Sequence, residues 1–340
     1  PLIAYGFQMD KWFQICSESI KGYLKSKGKN PIILNERLYY ADEYDGTTWS
    51  NVNNTEQIIN YFGPDGLGYI PSTPNEGENI AEYQEVDAVI NVINQGTFIV
   101  THRDHGWYES WQAPPFRRED LYLLNNGNKL PFILSINGGS GAFMTDNCLL
   151  EVLMNSEEHG AIGGIGTSWI SDSFSNDSFT WGLWDFFEND FLPDYGNSVA
   201  NNNNYMPAFA DASAKHFINQ QKFPNTTENT ISLTCNLFHS FSDAFLKLYS
   251  EVPQEMNIEH DETYLIGSNT FKIKAPVGSM IALSIENDGK IKTLAIAEGT
   301  GNMQNINIPG DIDLESKMMV TVTKTNHLRY EENIIIICDL

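Results

Sequence analysis

Hydrophobic residues in the first two thirds of the chain follow two spacings. Apolar positions recur every three to four residues in four segments, which predicts helices at residues 9–27, 54–62, 86–94 and 147–154. Short apolar, largely β-branched runs predict buried strands at residues 97–101, 130–136 and 160–165, and residues 32–41 read as one extended stretch. Because these strands and helices alternate, the pattern predicts an α/β fold with a mostly parallel sheet and helices on both faces.

The pattern changes twice after this region. Residues 174–223 are rich in aromatic residues and asparagine, and the spacing of Trp181, Trp184, Phe186 and Phe187 predicts one helix there. Beyond Pro253, seven short β-branched runs are separated by turn residues, at 257–259, 270–275, 280–286, 290–296, 305–308, 318–324 and 333–337. The sequence therefore predicts an α/β domain over residues 1–252 and a small all-β, immunoglobulin-like sandwich over residues 253–340.

Charge and cysteine content narrow the classes of function. The 340 residues include 44 acidic and 20 basic side chains, a formal net charge of −24, which disfavours binding to nucleic acids and to anionic membranes. No apolar stretch reaches the roughly 18 residues of a membrane span, and the start PLIAYGFQMDKW lacks the features of a signal peptide. The four cysteines show neither zinc-site spacing nor a disulfide framework, so we expect buried free thiols at Cys16, Cys148, Cys235 and Cys338.

The candidate functional residues lie in the loops that follow the predicted strands, because ligand sites of parallel sheets lie at the carboxyl ends of the strands. His105 and Gly106 come directly after one such strand, and a glycine-rich turn that contains Ser140 follows the next one. The alternative for His105 is a loop histidine without a catalytic role. The turn lacks the lysine of a phosphate-binding loop, and Ser140 lacks the spacing of a nucleophile elbow.

Three strand ends taken together resemble the gingipain-type cysteine peptidases, peptidase family C25, whose catalytic domain has a caspase-like fold. They read THRDHGWYESW, LPFILSINGGSGAF and GAIGGIGTSW. FHSFSDAFLKL, shortly before the predicted sandwich, is similar to the closing motif of that family. The resemblance runs from about residue 30 to the end of the chain, and it covers only the catalytic half of the caspase-like architecture.

The resemblance implies a role for each strand end. His105 matches the catalytic histidine, and Gly106 matches the glycine whose amide helps to form the oxyanion hole. The pattern Cys-x-x-Gly-x-Phe places the nucleophile, and a second oxyanion amide, at position 138, since Gly141 and Phe143 occupy the other two positions. Position 138 is glycine, so the chain carries no nucleophilic thiol there.

The remaining catalytic and substrate-binding positions also follow from the resemblance. The third catalytic residue, an acid, falls on Asp42, with Glu43 and Asp45 as neighbouring alternatives. Thr167 and Trp169 match positions that line the S1 pocket, which holds the side chain before the scissile bond. We expect Trp107 or Trp111 to border the cleft. An acidic pocket residue of the arginine-specific members would fall near Val52, so basic specificity does not carry over.

Gly138 leaves two interpretations. The first is an endopeptidase whose active site was altered to prevent self-cleavage, and the second is a natural inactive relative that binds peptides or proteins. In both we expect a secreted or cell-surface protein with a peptide or protein partner and no cofactor. Calcium could bind the acidic segment from Asp172 to Asp177. A third hypothesis is a carbohydrate-active enzyme with paired carboxylates, although no spacing singles out such a pair.

Overall fold

The chain forms two compact units, Pro1–Leu248 and Tyr249–Leu340, whereas the sequence predicts the boundary after residue 252. The computed structural model describes residues 1–7, 12–37, 49, 55–74, 84–194, 205–220, 227–308 and 312–338. Each unit has its own hydrophobic core.

The first unit is built on a six-stranded sheet in the order β2-β1-β3-β7-β8-β9. In the described part of this unit the strands are β1 (Leu2–Phe7), β2 (Ile32–Arg37), β3 (Ile99–Arg103), β4 (Gly106–Trp107), β5 (Ser110–Trp111), β6 (Phe116–Arg117), β7 (Phe132–Ile136), β8 (Gly163–Thr167) and β9 (Phe238–Phe241), and β4, β5 and β6 form a small separate sheet. All neighbours in the large sheet are parallel except β8 and β9. The predicted mostly parallel sheet is therefore confirmed.

Helices cover both faces of this sheet. They are α1 (Trp12–Ser26), α2 (Thr55–Phe62), α3 (Val86–Gln95), α4 (Leu149–Met154), α5 (Ser173–Phe187), α6 (Pro207–Asn219) and α7 (Glu228–Leu237), with a 3-10 helix at Arg118–Leu123. Successive strand residues point to opposite faces. Ile3 and Tyr5 of β1 accordingly pack in the core of α1 and α5, whereas Leu2 and Ala4 pack in the core of α3 and α4.

Several described elements of this unit lie outside the sequence-based prediction: strands β1, β4, β5, β6 and β9, helices α6 and α7, and the 3-10 helix at Arg118–Leu123. Strand β1 is fully apolar and lies between β2 and β3. The run LIAYGF is followed by QMDKW, without the turn residues that bound the predicted strands, so the pattern alone does not mark it as a strand. The sequence predicts one helix in residues 174–223, which corresponds to α5; α6 lies in the same segment, and α7 lies beyond it.

The second unit is an all-β domain with two sheets. Its strands are β10 (Glu259–His260), β11 (Thr263–Leu265), β12 (Thr270–Lys274), β13 (Met280–Asn287), β14 (Lys290–Glu298), β15 (Met303–Asn307), β16 (Lys317–Thr323) and β17 (Tyr330–Ile337). One sheet has the order β10-β12-β15 and the other β11-β17-β16-β13-β14. Phe271 and Ile306 from the first sheet share a core with Ile281 and Val320 from the second, and the predicted all-β domain is confirmed. Strand β11 is the one that the prediction omits.

Candidate active site

The carboxyl ends of β3, β7 and β8 meet at one edge of the parallel sheet, because these strands are direct neighbours. His105 lies just beyond β3 and Gly138 just beyond β7. Both line a cleft of about 250 Å³, together with Gly106 and Ile170. The structure thus brings together the two loops that the sequence predicts to converge.

The His105 side chain reaches solvent at this edge. Its ring contacts the ring of Phe13 edge-on, with centroids 5.1 Å apart, and its carbonyl accepts a hydrogen bond from the Gln112 amide at 3.1 Å. Partial desolvation by the surrounding protein, followed by the nearby charge of Arg103, lowers the pKa of His105. These effects favour the neutral imidazole.

Gly106 lies against Asn137, a buried residue that sequence analysis did not single out. A Cβ atom on Gly106 would lie 2.6 Å from Cγ of Asn137, which is closer than such atoms can approach. The Asn137 amide nitrogen donates to Nδ1 of His102 at 3.0 Å and to the Ser135 hydroxyl at 2.9 Å. Asn137 therefore links the end of β3 to the end of β7, and only glycine fits beside it at position 106.

His102, in β3, is the partner of Asn137 in this link. Burial lowers the pKa of His102 to about 3, so its ring is neutral at physiological pH. With Nδ1 accepting from Asn137, Nε2 carries the proton and lies 3.2 Å from the Ala113 carbonyl. The ring stacks on Trp111, with centroids 4.3 Å apart. His102 is thus a structural residue, and the buried Trp111 supports it instead of bordering the cleft.

Gly138 has room for a side chain. A Cβ atom there would lie 3.5 Å from Cα of Ile170, 3.7 Å from the Gly106 carbonyl oxygen and 3.9 Å from the Trp169 carbonyl oxygen, all ordinary contacts. Its φ lies outside the left-handed region, whereas the next residue, Gly139, has φ +83°. Position 138 therefore accepts an L-residue without backbone strain, and position 139 is the one that favours glycine.

Thr167 holds the turn around Gly138. Its hydroxyl donates to the Asn137 carbonyl at 2.6 Å and accepts from the Gly139 amide at 2.8 Å. The side chain is fully buried. A fully buried side chain is not accessible for the direct substrate contact that the resemblance implies. Thr167 instead stabilises the turn.

Two tryptophans are exposed at the mouth of the cleft. Trp107 is 40% exposed and Trp169 is 49% exposed, and their ring centroids lie 5.5 Å apart. Trp107 borders the cleft and, together with Trp169, lines a neighbouring cavity of about 1060 Å³. The pair offers apolar surface to a ligand that enters the cleft.

The predicted catalytic acid, Asp42, lies outside the described residues, as do the alternatives Glu43 and Asp45 and the specificity position Val52. Among the described residues, Asp104 adjoins His105 in sequence and is buried. Its carboxylate accepts from the Ala113 amide at 2.6 Å, and burial raises its pKa. Asp104 thus anchors the loop that follows His105.

The segment considered for calcium uses its carboxylates elsewhere. Asp172 caps the start of α5 by accepting from the Ser175 amide at 2.9 Å, and Asp177 pairs with Arg103 at 2.7 Å. In the described part of the chain, no cluster of three or more His, Cys, Asp or Glu side chains could hold a metal ion.

Two further expectations concern the cysteines and the membrane. Cys16 and Cys148 are buried, but Cys235 is only half-buried and Cys338 is exposed, so the expectation of four buried thiols is wrong for these last two. Strand β17 ends just before Cys338, which leaves the thiol at the surface.

Among the helices that the structure describes, none has the length and apolar character needed to cross a membrane.

Solved structures of known proteins share this fold. The fold is similar to the crystal structure of the Arg-specific cysteine proteinase gingipain R, with a TM-score of 0.66 and 16% identity over 99% of this chain and 66% of that chain. It is also similar to the complex of Porphyromonas gingivalis RgpB pro- and mature domains, with a TM-score of 0.61 and 16% identity over 99% of this chain and 68% of that one.

The chain thus spans just under two thirds of the length of gingipain R. No curated protein matches it in sequence. The sequence model of peptidase family C25 matches residues 15–249, which include all of the strand ends described above. The chain belongs to peptidase family C25.

Proposed function

We propose that this chain is a gingipain-type cysteine endopeptidase in a form that binds peptides at the carboxyl edge of the sheet but does not cleave them, because residue 138 is glycine. The proposal rests on family membership, on the loops that carry His105 and Gly138, and on the fold shared with gingipain R. Its substrate class is peptides or proteins.

The chemistry of a cysteine peptidase explains what is present and what is missing. A thiolate attacks the scissile carbonyl, an imidazolium protonates the leaving amine, and backbone amides stabilise the oxyanion. The neutral His105 ring can take the proton of a thiol at position 138 and give it to the leaving amine, and the amides of Gly106 and Gly138 are the candidate oxyanion donors. Glycine has no nucleophilic atom, so the acyl-enzyme cannot form.

The observation that carries the proposal is the backbone at Gly138. Its φ is compatible with an L-residue, and a Cβ atom there meets only ordinary contacts. A cysteine would therefore fit in the cleft that also contains His105. Among the described residues of the cleft, a thiol at position 138 is the group that the cysteine peptidase mechanism would still require.

The test restores that thiol. We expect Gly138→Cys to hydrolyse members of a broad peptide library, measured by mass spectrometry, and to be blocked by alkylation with iodoacetamide. Gly138→Ala is the matched control, because it adds the same Cβ atom without sulfur. His105→Ala in the Gly138→Cys background should abolish cleavage. Absence of cleavage by a folded Gly138→Cys variant at pH 6 to 8 would sink the proposal.

A second candidate function is a natural peptide-binding protein without hydrolysis. The exposed pair Trp107 and Trp169 at the cleft favours it, because such surface binds ligands irrespective of residue 138. This function predicts equal peptide affinities for the parent chain and Gly138→Ala, and loss of binding in Trp107→Ala. Equal binding together with an inactive Gly138→Cys variant would select this function over the endopeptidase.

We further propose that the protein acts outside the cell or at its surface, and that it needs no cofactor. The formal charge of −24 suits a soluble exported protein, and thiol and imidazole together complete the reaction without a metal. Addition of EDTA should leave the activity of Gly138→Cys unchanged. A loss of activity that calcium restores would instead indicate a structural calcium site.

A further inference from the structure

Beneath the cleft lies a buried ion pair between Arg103, the last residue of β3, and Asp177 in α5. Arg103 is 1% exposed and Asp177 is 4% exposed, and Nε of Arg103 lies 2.7 Å from Oδ1 of Asp177. The partners are far apart in sequence. A pair this deeply buried is retained only when its geometry and its further hydrogen bonds offset the loss of hydration.

Arg103 makes contacts with each of the segments that build the cleft. One terminal nitrogen donates to the Ser173 carbonyl at the start of α5, at 2.9 Å, and the other lies 3.5 Å from the Ile136 carbonyl at the end of β7. Its guanidinium carbon lies 4.2 Å from the centre of the Phe13 ring in α1. A planar guanidinium presents several N–H groups in a fixed fork, so one side chain can hold several partners at once.

The same contacts lead directly to the two functional positions. Phe13, which packs on the guanidinium, also contacts the ring of His105 at 5.1 Å. Ile136 lies two residues before Gly138, and Ser173 follows the loop that carries Ile170, the nearest neighbour of a Cβ atom at position 138. Arg103 is therefore connected to both sides of the cleft through buried groups.

We propose that Arg103 is the positioning residue of the site: by joining β3, β7, α1 and α5 it holds His105 and residue 138 facing each other. The effect of Arg103 on catalysis rests on the proposed function. Its role in holding the two loops in place does not depend on activity. Asp177 orients the guanidinium through its bond to Nε.

The test replaces the pair without leaving a buried charge behind. Removal of one partner of such a pair strongly destabilises a protein, whereas apolar residues of similar volume in both places are often tolerated. The variant is therefore Arg103→Met with Asp177→Leu. The matched control is Lys21→Met with Glu18→Leu, which removes another buried ion pair, with a separation of 2.8 Å, from α1.

Two measurements give the outcome. In the parent chain, an NMR titration follows the His105 ring signal, which is assigned by its loss in His105→Gln. We expect the pKa of His105 to rise in the Arg103 pair variant, because a nearby positive charge is gone, and to stay unchanged in the control. In the Gly138→Cys background, we expect kcat/KM to fall about 100-fold in the pair variant, the size of loss that a misplaced reactive group produces.

The variant Arg103→Lys distinguishes the effect of the positive charge from the effect of positioning. Lysine keeps the positive charge but not the fork, so the pKa of His105 should stay near the parent value while kcat/KM falls about 10-fold. The inference is overturned if the pair variant keeps both the His105 pKa and the kcat/KM of the parent. If the pair variant does not fold, the inference is overturned by an Arg103→Lys variant whose kcat/KM equals that of the parent. If Gly138→Cys is inactive, the proposed function fails, and unchanged NMR signals of the His105 ring and the Gly138 amide in the pair variant then refute the geometric claim separately.

Discussion

Replacement of Asp185 by asparagine should change the pH dependence of stability in the first unit. Asp185 lies in α5 and is 8% exposed, and its carboxylate accepts a hydrogen bond from the Leu192 amide at 3.2 Å. Within the described residues no cation pairs with it. Burial therefore raises the pKa of Asp185 to about 7, from an ordinary value of 3.8.

The direction of the pH effect follows from the linkage between proton binding and folding. The folded protein keeps the Asp185 proton up to about pH 7, whereas the unfolded chain releases it near pH 4. The stabilisation from this proton is complete below about pH 4 and is lost as the pH rises to about 7. A shift of about three pKa units corresponds to about 4 kcal/mol. The asparagine of Asp185→Asn is uncharged at every pH and keeps an acceptor for the Leu192 amide.

Urea unfolding at pH 4 and pH 8 measures this effect. All seven tryptophans lie before residue 249, so their fluorescence reports on the first unit alone. We expect the unfolding free energy of Asp185→Asn to exceed that of the parent by up to about 4 kcal/mol at pH 8 and by little at pH 4. Asp194→Asn, an exposed control, should show no such difference. Equal effects of Asp185→Asn at the two pH values would refute the reasoning.

Three further predictions concern the site and the thiols. Gly106→Ala should lower the unfolding free energy by about 1–3 kcal/mol in urea, because its Cβ atom would overlap Asn137. Thr167→Val should cost about 2 kcal/mol by thermal unfolding, since it leaves the Asn137 carbonyl and the Gly139 amide without their partner. Cys338 should react with a chromogenic disulfide reagent in the folded protein, while the buried Cys16 should react only after unfolding; equal rates for the two would contradict this assignment.

The parallel core of the fold could be predicted because its signals are local. Strands β3, β7 and β8 are short apolar runs, each bounded by turn residues, and parallel strands buried on both faces have this appearance. Their order in sequence also placed His105 and Gly138 at one edge, since right-handed crossovers bring successive carboxyl ends together. These features need no information about distant contacts.

The buried polar network around the site could not be predicted, because its partners are far apart in the chain. Arg103 and Asp177 meet only when α5 packs on the sheet, and Asn137 reaches His102 only when β3 and β7 pair. An isolated arginine at the end of an apolar strand gives no indication of its partner. Strand β1 was missed for a related reason, since its identity depends on the two strands that flank it.

This network also explains why the fold is indifferent to the residue at position 138. Asn137 is held by His102 and Ser135, and the turn that follows is held by Thr167, so none of these bonds involves a side chain at 138. The loop is fixed by residues on either side of position 138. An exchange between glycine and cysteine there is therefore expected to leave the fold unchanged, so that the proposed loss or return of catalysis can be tested without a change of structure.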